Sequence, residues 1–128
     1  MITLSVTAEI PEGTDLLGKS ASDLQSNVTV GTSAIRGTLK NVDDYTGFSG
    51  LEAEQSGHYL VLKCECEDAD SITVQLIGGV HGPVTLDPDG LIILRVTSNT
   101  QSVRVTAIKD GYDSVVKNYS LTGVTLAE

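Results

Sequence analysis

Period-two alternation, recurring in short segments cut apart by turn residues, constrains this chain more than any other feature. Residues 71–77 read Ser-Ile-Thr-Val-Gln-Leu-Ile and set Ile72, Val74 and Leu76 on one face. Residues 2–10 alternate as strictly, with Ile2, Leu4, Val6, Ala8 and Ile10 against Thr3, Ser5, Thr7 and Glu9. Successive side chains of a strand point to opposite faces, so the pattern builds half-buried strands, where a helix would need a period of 3.6. Further strands are expected at 28–30, 34–40, 58–66, 84–86, 91–97, 102–109 and 114–122. In the 58–66 strand, Leu60, Leu62, Cys64 and Cys66 share one side and Val61, Lys63 and Glu65 the other.

The punctuation agrees. Pro11-Glu12-Gly13, Glu67-Asp68-Ala69-Asp70, Gly78-Gly79, His81-Gly82-Pro83 and Asp87-Pro88-Asp89-Gly90 all read as turns, and Asp110-Gly111 as a hairpin favouring a primed turn. The one plausible helix is short, around Ser20–Ser26, with capping residues and a thin apolar face. From residue 57 onward the strands follow one another at about 10 to 15 residues, which suits an antiparallel sandwich of immunoglobulin-like type. The expected fold is therefore mainly β, a single domain over 1–128. Residues 57–123 supply the immunoglobulin-like strands, and 1–56 an elaboration of N-terminal strand, short helix and loop.

Composition bounds the core and the partners. Aromatics are 4% of the 128 residues and Trp is absent, so Val, Leu and Ile must fill the interior. The net charge of −9, with eight basic residues scattered along the chain, excludes a phosphate-neutralising surface and disfavours anionic membranes. Met1 runs straight into the first strand pattern with no basic or long apolar leader, and no run is long enough to span a bilayer.

Between the strands at 34–40 and 58–66 lies a loop rich in Asp, Gly and Ser that carries Tyr45 and Phe48, the latter the sole Phe. Aromatics in such a loop suit contact with a partner, though a loop that tucks both rings against its own sheet would use them equally well.

The chemical motifs are weak. Gly13-Thr14-Asp15-Leu16-Leu17-Gly18-Lys19-Ser20 satisfies the P-loop pattern. Yet Asp15 and Glu12 stand where a polyphosphate would sit, the following helix is barely two turns, and no parallel βαβ pattern follows, so the match is read as chance. Cys64 and Cys66 with His58 and His81 could in principle reach four zinc ligands; the simpler reading makes both cysteines small core hydrophobes. The acidic turns at 67–70 and 87–90 match no EF-hand loop and read as solvated. No nucleophile–base arrangement emerges. The expectation is a protein that is not an enzyme, with no cofactor and no metal.

Several short words are familiar together: Leu16-Leu17-Gly18-Lys19-Ser20-Ala21-Ser22-Asp23-Leu24-Gln25, Gly37-Thr38-Leu39-Lys40, Tyr45-Thr46-Gly47-Phe48-Ser49, Gln55-Ser56-Gly57-His58-Tyr59-Leu60, Gly82-Pro83-Val84-Thr85-Leu86-Asp87 and Tyr119-Ser120-Leu121-Thr122-Gly123. In these the chain resembles small head decoration and head-fibre-related proteins of tailed phages and prophages. The resemblance implies a non-enzymatic protein on the outer surface of the virion, made in the host cytoplasm and held by the major capsid protein, with a homotrimer compatible. Tyr45, Phe48, Leu16 and Leu17 form the candidate partner-binding set. The alternative is an immunoglobulin-like tail or fibre module that binds host-surface glycans, for which four Tyr and no Trp give thin stacking capacity.

Overall fold

Ten strands and one helical turn make up a computed structural model that describes residues 3–8, 21–42, 57–78, 83–86 and 89–128. The strands are β1 (Ser5–Thr7), β2 (Gln25–Val30), β3 (Ala34–Leu39), β4 (Asn41–Val42), β5 (Gly57–Glu65), β6 (Ser71–Ile77), β7 (Val84–Leu86), β8 (Asp89–Val96), β9 (Ser102–Ile108) and β10 (Val115–Leu126), with α1 at Ala21–Leu24. They form two sheets. In the smaller sheet β5 is central, flanked by β8 on one side and by β1 and β4 on the other. The larger sheet runs β2-β3-β10-β9-β6-β7.

One apolar core joins the sheets face to face, which makes the protein a β-sandwich. Leu60, Leu62, Cys64, Ile92 and Leu94 from the smaller sheet meet Ile72, Val74, Leu76, Val103, Val105 and Ala107 from the larger. All of these alternate along their strands as period two requires, and each is at most 4% exposed. Ile72, Val74 and Leu76 sit where the sequence pattern puts them. Cys64 and Cys66 are buried free thiols in this core.

The structure departs from the sequence reading in several places. Most pairings are antiparallel, but β3 runs parallel to β10. Of the 2–10 alternation, Ser5–Thr7 is the strand among the described residues, with Leu4 and Val6 buried. The helical turn spans four residues, and β2 already begins at Gln25. Asp89 and Gly90 belong to β8, opposite Glu65 and Cys64, rather than to a turn.

The β9–β10 connection also differs. Tyr112 N–H donates to the Lys109 carbonyl at 3.1 Å, and positive φ occurs at Gly111 but not at Asp110. That is the type II pattern, with glycine at the third turn position, and not a primed turn. Six residues separate the strands, long enough to escape the two-residue hairpin that demands a primed geometry.

β10 outruns its expected end because it changes partner. Val115–Ser120 pair with β9, and Gly123–Leu126 pair with β3 across a register shift after Ser120. Ser120 Oγ accepts the Thr122 N–H at 3.2 Å within that irregularity. A second small core lies on the far face of the smaller sheet, where Leu24 of α1 covers Val42, Tyr59, Val61 and Ile93. Tyr59 to Leu62 are consequently buried on both faces of β5.

Candidate interaction surface

The residues singled out from the sequence, Tyr45, Phe48, Leu16 and Leu17, lie outside the described residues, as do the P-loop-like segment 13–20 and His81. Val42 of β4 pairs with Gly57 of β5.

Among the described residues, the large apolar side chains that stay outside the core gather on one hairpin. Ile108 is 42% exposed, Tyr112 56% and Val116 46%. On β9 the outward register reads Ser102, Arg104, Thr106, Ile108, so Ile108 is the apolar member of an otherwise polar face. Val116 pairs with Thr106 and therefore lies diagonal to Ile108 on that face. A row of hydroxyls leads away from it, Thr106 to Thr73 to Thr85 across β9, β6 and β7. Tyr112 sits in the turn above, with the Lys109 ammonium 5.1 Å from its ring centroid.

This end is held by one backbone and one side-chain hydrogen bond from Asp70. Asp70 N–H donates to the Ile108 carbonyl at 2.7 Å, and Asp70 Oδ2 accepts the Asp110 N–H at 2.8 Å. The β5–β6 turn thereby clasps the β9–β10 turn. Together they present Glu67, Asp68, Asp70, Asp110 and Asp113, all exposed, against the single cation Lys109. The exposed apolar members were missed from sequence, although an isoleucine in the polar register of 102–108 and the doubled Val115-Val116 were the available signals.

Other features are less promising for chemistry. A cleft of about 370 Å³ opens where β10 leaves β9, lined by Val96, Leu121, Val124, Leu126 and the 97–101 turn. The turn's hydroxyls serve its own backbone: Thr100 Oγ1 accepts the Thr97 N–H at 3.1 Å and Thr97 Oγ1 accepts the Asn99 N–H at 3.3 Å. His58 donates from Nε2 to the Ala127 carbonyl, which can only accept, so that ring tethers the chain's end. Arg104 Nε donates to Asn118 Oδ1 at 3.0 Å on the exposed outer face. Among the described residues no group of three or more His, Cys, Asp or Glu is placed to hold a metal ion, and no helix is long and apolar enough to cross a membrane.

Burial pushes the Cys64 thiol up to about 12, which keeps it protonated and unreactive. Tyr119 is raised as well, first by burial and then by the neighbouring Cys64 charge. Neither group faces a site. No protein-family model, curated protein or solved structure matches the chain.

Proposed function

We propose that the chain is a non-enzymatic structural protein of a tailed phage or prophage, which decorates the capsid exterior by binding the major capsid protein. Its resemblance in short words to head decoration proteins supports this reading. The observation that carries it is a two-sheet body with a core shared between the sheets whose exposed large apolar side chains, among the described residues, lie on a single hairpin. Such a body meets a partner as a preformed surface and loses little conformational entropy on docking. Binding confined to the assembled shell stabilises that shell by mass action, and many copies make weak contacts durable.

The finer architecture is read as immunoglobulin-like. Support comes from β5 and β8 in one sheet, β10-β9-β6-β7 in the other, and β3 running parallel beside the last strand. Among the described residues before β5, α1 covers the far face of the smaller sheet, β1 and β4 add to that sheet, and β2 and β3 add to the larger one.

The test is addition of purified protein to heads of the encoding phage that lack it. Binding to the expanded shell and a higher disruption temperature are expected. Heads that neither retain the protein nor gain stability would overturn the reading. Replacing both Tyr45 and Phe48 with Ala should weaken that binding at an unchanged melting temperature if they contact the shell.

A further inference from the structure

Resting on the capsid-binding reading, we propose that the end of the sandwich formed by the β5–β6 and β9–β10 connections is a docking surface, and that it fits a capsid-protein face presenting Lys or Arg around an apolar socket.

The apolar part of this surface is Ile108, Tyr112 and Val116, exposed by 42%, 56% and 46%. Scattered single hydrophobes on a surface need no explanation, but Ile108 and Val116 are diagonal neighbours on one face and Tyr112 is exposed in the turn that joins their strands. A tyrosine at the tip of a short turn is the residue type that most often anchors a protein interface, because it brings a large contact area with few rotatable bonds.

The rim is acidic. Glu67, Asp68 and Asp70 on the β5–β6 turn and Asp110 and Asp113 on the β9–β10 turn are exposed, the two turns are joined through Asp70, and the Lys109 ammonium lies over the Tyr112 ring. That charge selects among occupants. A second copy docking through the same end would set this acidic rim against itself, which costs affinity. An anionic surface is repelled in the same way. A basic protein face is attracted and steered into register.

The surface is also preorganised. The Asp70 N–H to Ile108 carbonyl bond at 2.7 Å and the Asp110 N–H to Asp70 Oδ2 bond at 2.8 Å fix the two turns relative to each other before any partner arrives. Ordering this end on docking therefore subtracts little from the binding free energy.

Co-sedimentation with undecorated heads of the encoding phage tests the assignment. Tyr112→Ala should bind about tenfold more weakly than wild type with an unchanged melting temperature, and Tyr112→Phe should bind as wild type does. Wild-type binding should weaken as NaCl rises to about 0.5 M, and the triple variant Glu67→Gln/Asp68→Asn/Asp113→Asn should lose most of that dependence. Wild-type binding with both variants unaffected would overturn this surface and leave the capsid role standing. No wild-type binding would overturn both. An oligomer that Tyr112→Ala converts to monomer would make the patch a self-interface and also defeat the proposal.

Discussion

The side chain of Gln25 accepts a hydrogen bond from the backbone N–H of Val61, Oε1 to N at 3.0 Å, in the interior of the protein. Gln25 is the buried polar side chain among the described residues. The bond fills a gap in a ladder. On that edge of β5, β4 pairs with residues 57 and 58, and β1 with 63 to 65, so no strand among the described residues reaches Val61. A buried N–H without an acceptor is destabilising, and a side-chain carbonyl from the larger sheet supplies what a strand would have.

Replacing Gln25 should therefore unfold the protein at lower urea. Gln25→Ala and Gln25→Leu both leave the Val61 N–H without its acceptor, and each should lose about 1–3 kcal/mol. The leucine variant is the sharper probe because it keeps most of the volume. A Gln25→Leu midpoint equal to wild type would show that the amide carries no such role.

The small cluster of Leu24, Val42, Tyr59, Val61 and Ile93 makes a second prediction. Ile93 is fully buried on the face of β8 that points away from the main core. Ile93→Ala should cost about 2–5 kcal/mol, in the range of the Leu62→Ala change in the main core. An equilibrium denaturation curve for Ile93→Ala that overlays wild type would mean that the far face is not a packed layer.

Two glycines should be intolerant for a reason that a third does not share. Gly37 has φ +142°, and a Cβ there would lie 2.6 Å from the Val28 backbone, where β2 bulges past β3. Gly78 has φ +77°, and a Cβ there would collide with the Asn99 carbonyl oxygen. Gly111 has φ +84° but open space around it. Alanine at 111 should cost about 1–2 kcal/mol, the strain of a left-handed residue alone. Alanine at 37 or 78 should cost more, as thermal melts of the three variants would reveal; equal losses at all three would contradict the clash.

How much of this was legible follows from the range of each interaction. Val103, Val105 and Ala107 are buried as their alternation foretells, because the period is a property of the strand itself. The run Tyr59-Leu60-Val61-Leu62 conceals a strand covered on both sides, since a continuous apolar stretch does not say how many layers lie over it. The parallel pairing of β3 with β10 joins residues far apart in sequence, and no local pattern encodes it. The Asp110-Gly111 turn was misread because Asp-Gly is permissive: glycine supplies one positive φ, and the strand separation decides whether a second is needed. At the candidate surface, Ile108 was visible as a break in the polar register, but the Asp70 clasp that brings a second acidic turn beside it was not.

The last prediction concerns alkaline pH. Cys64 is fully buried on the core face of β5, where Val6 of β1 and Gly90 of β8 are its cross-strand neighbours, and burial raises its thiol from 9.0 to about 12. Once unfolded, the thiol titrates near its ordinary value. Between about pH 9 and 12 the unfolded chain releases a proton that the native protein keeps, so ionisation draws the equilibrium toward unfolding. The stability due to the protonated thiol is thus complete below pH 9 and is lost as pH climbs toward 12, by up to about 1.4 kcal/mol per pH unit. Tyr119 is shifted in the same direction and adds to the trend. Urea midpoints should fall steadily above pH 9, and Cys64→Ala, although less stable at neutral pH, should show a shallower decline. Native protein should react slowly with a thiol reagent at pH 8 and rapidly in denaturing urea. A midpoint that holds constant to pH 11, or a thiol that reacts as quickly folded as unfolded, would show that Cys64 is reachable from solvent and does not act as a hydrophobic core residue.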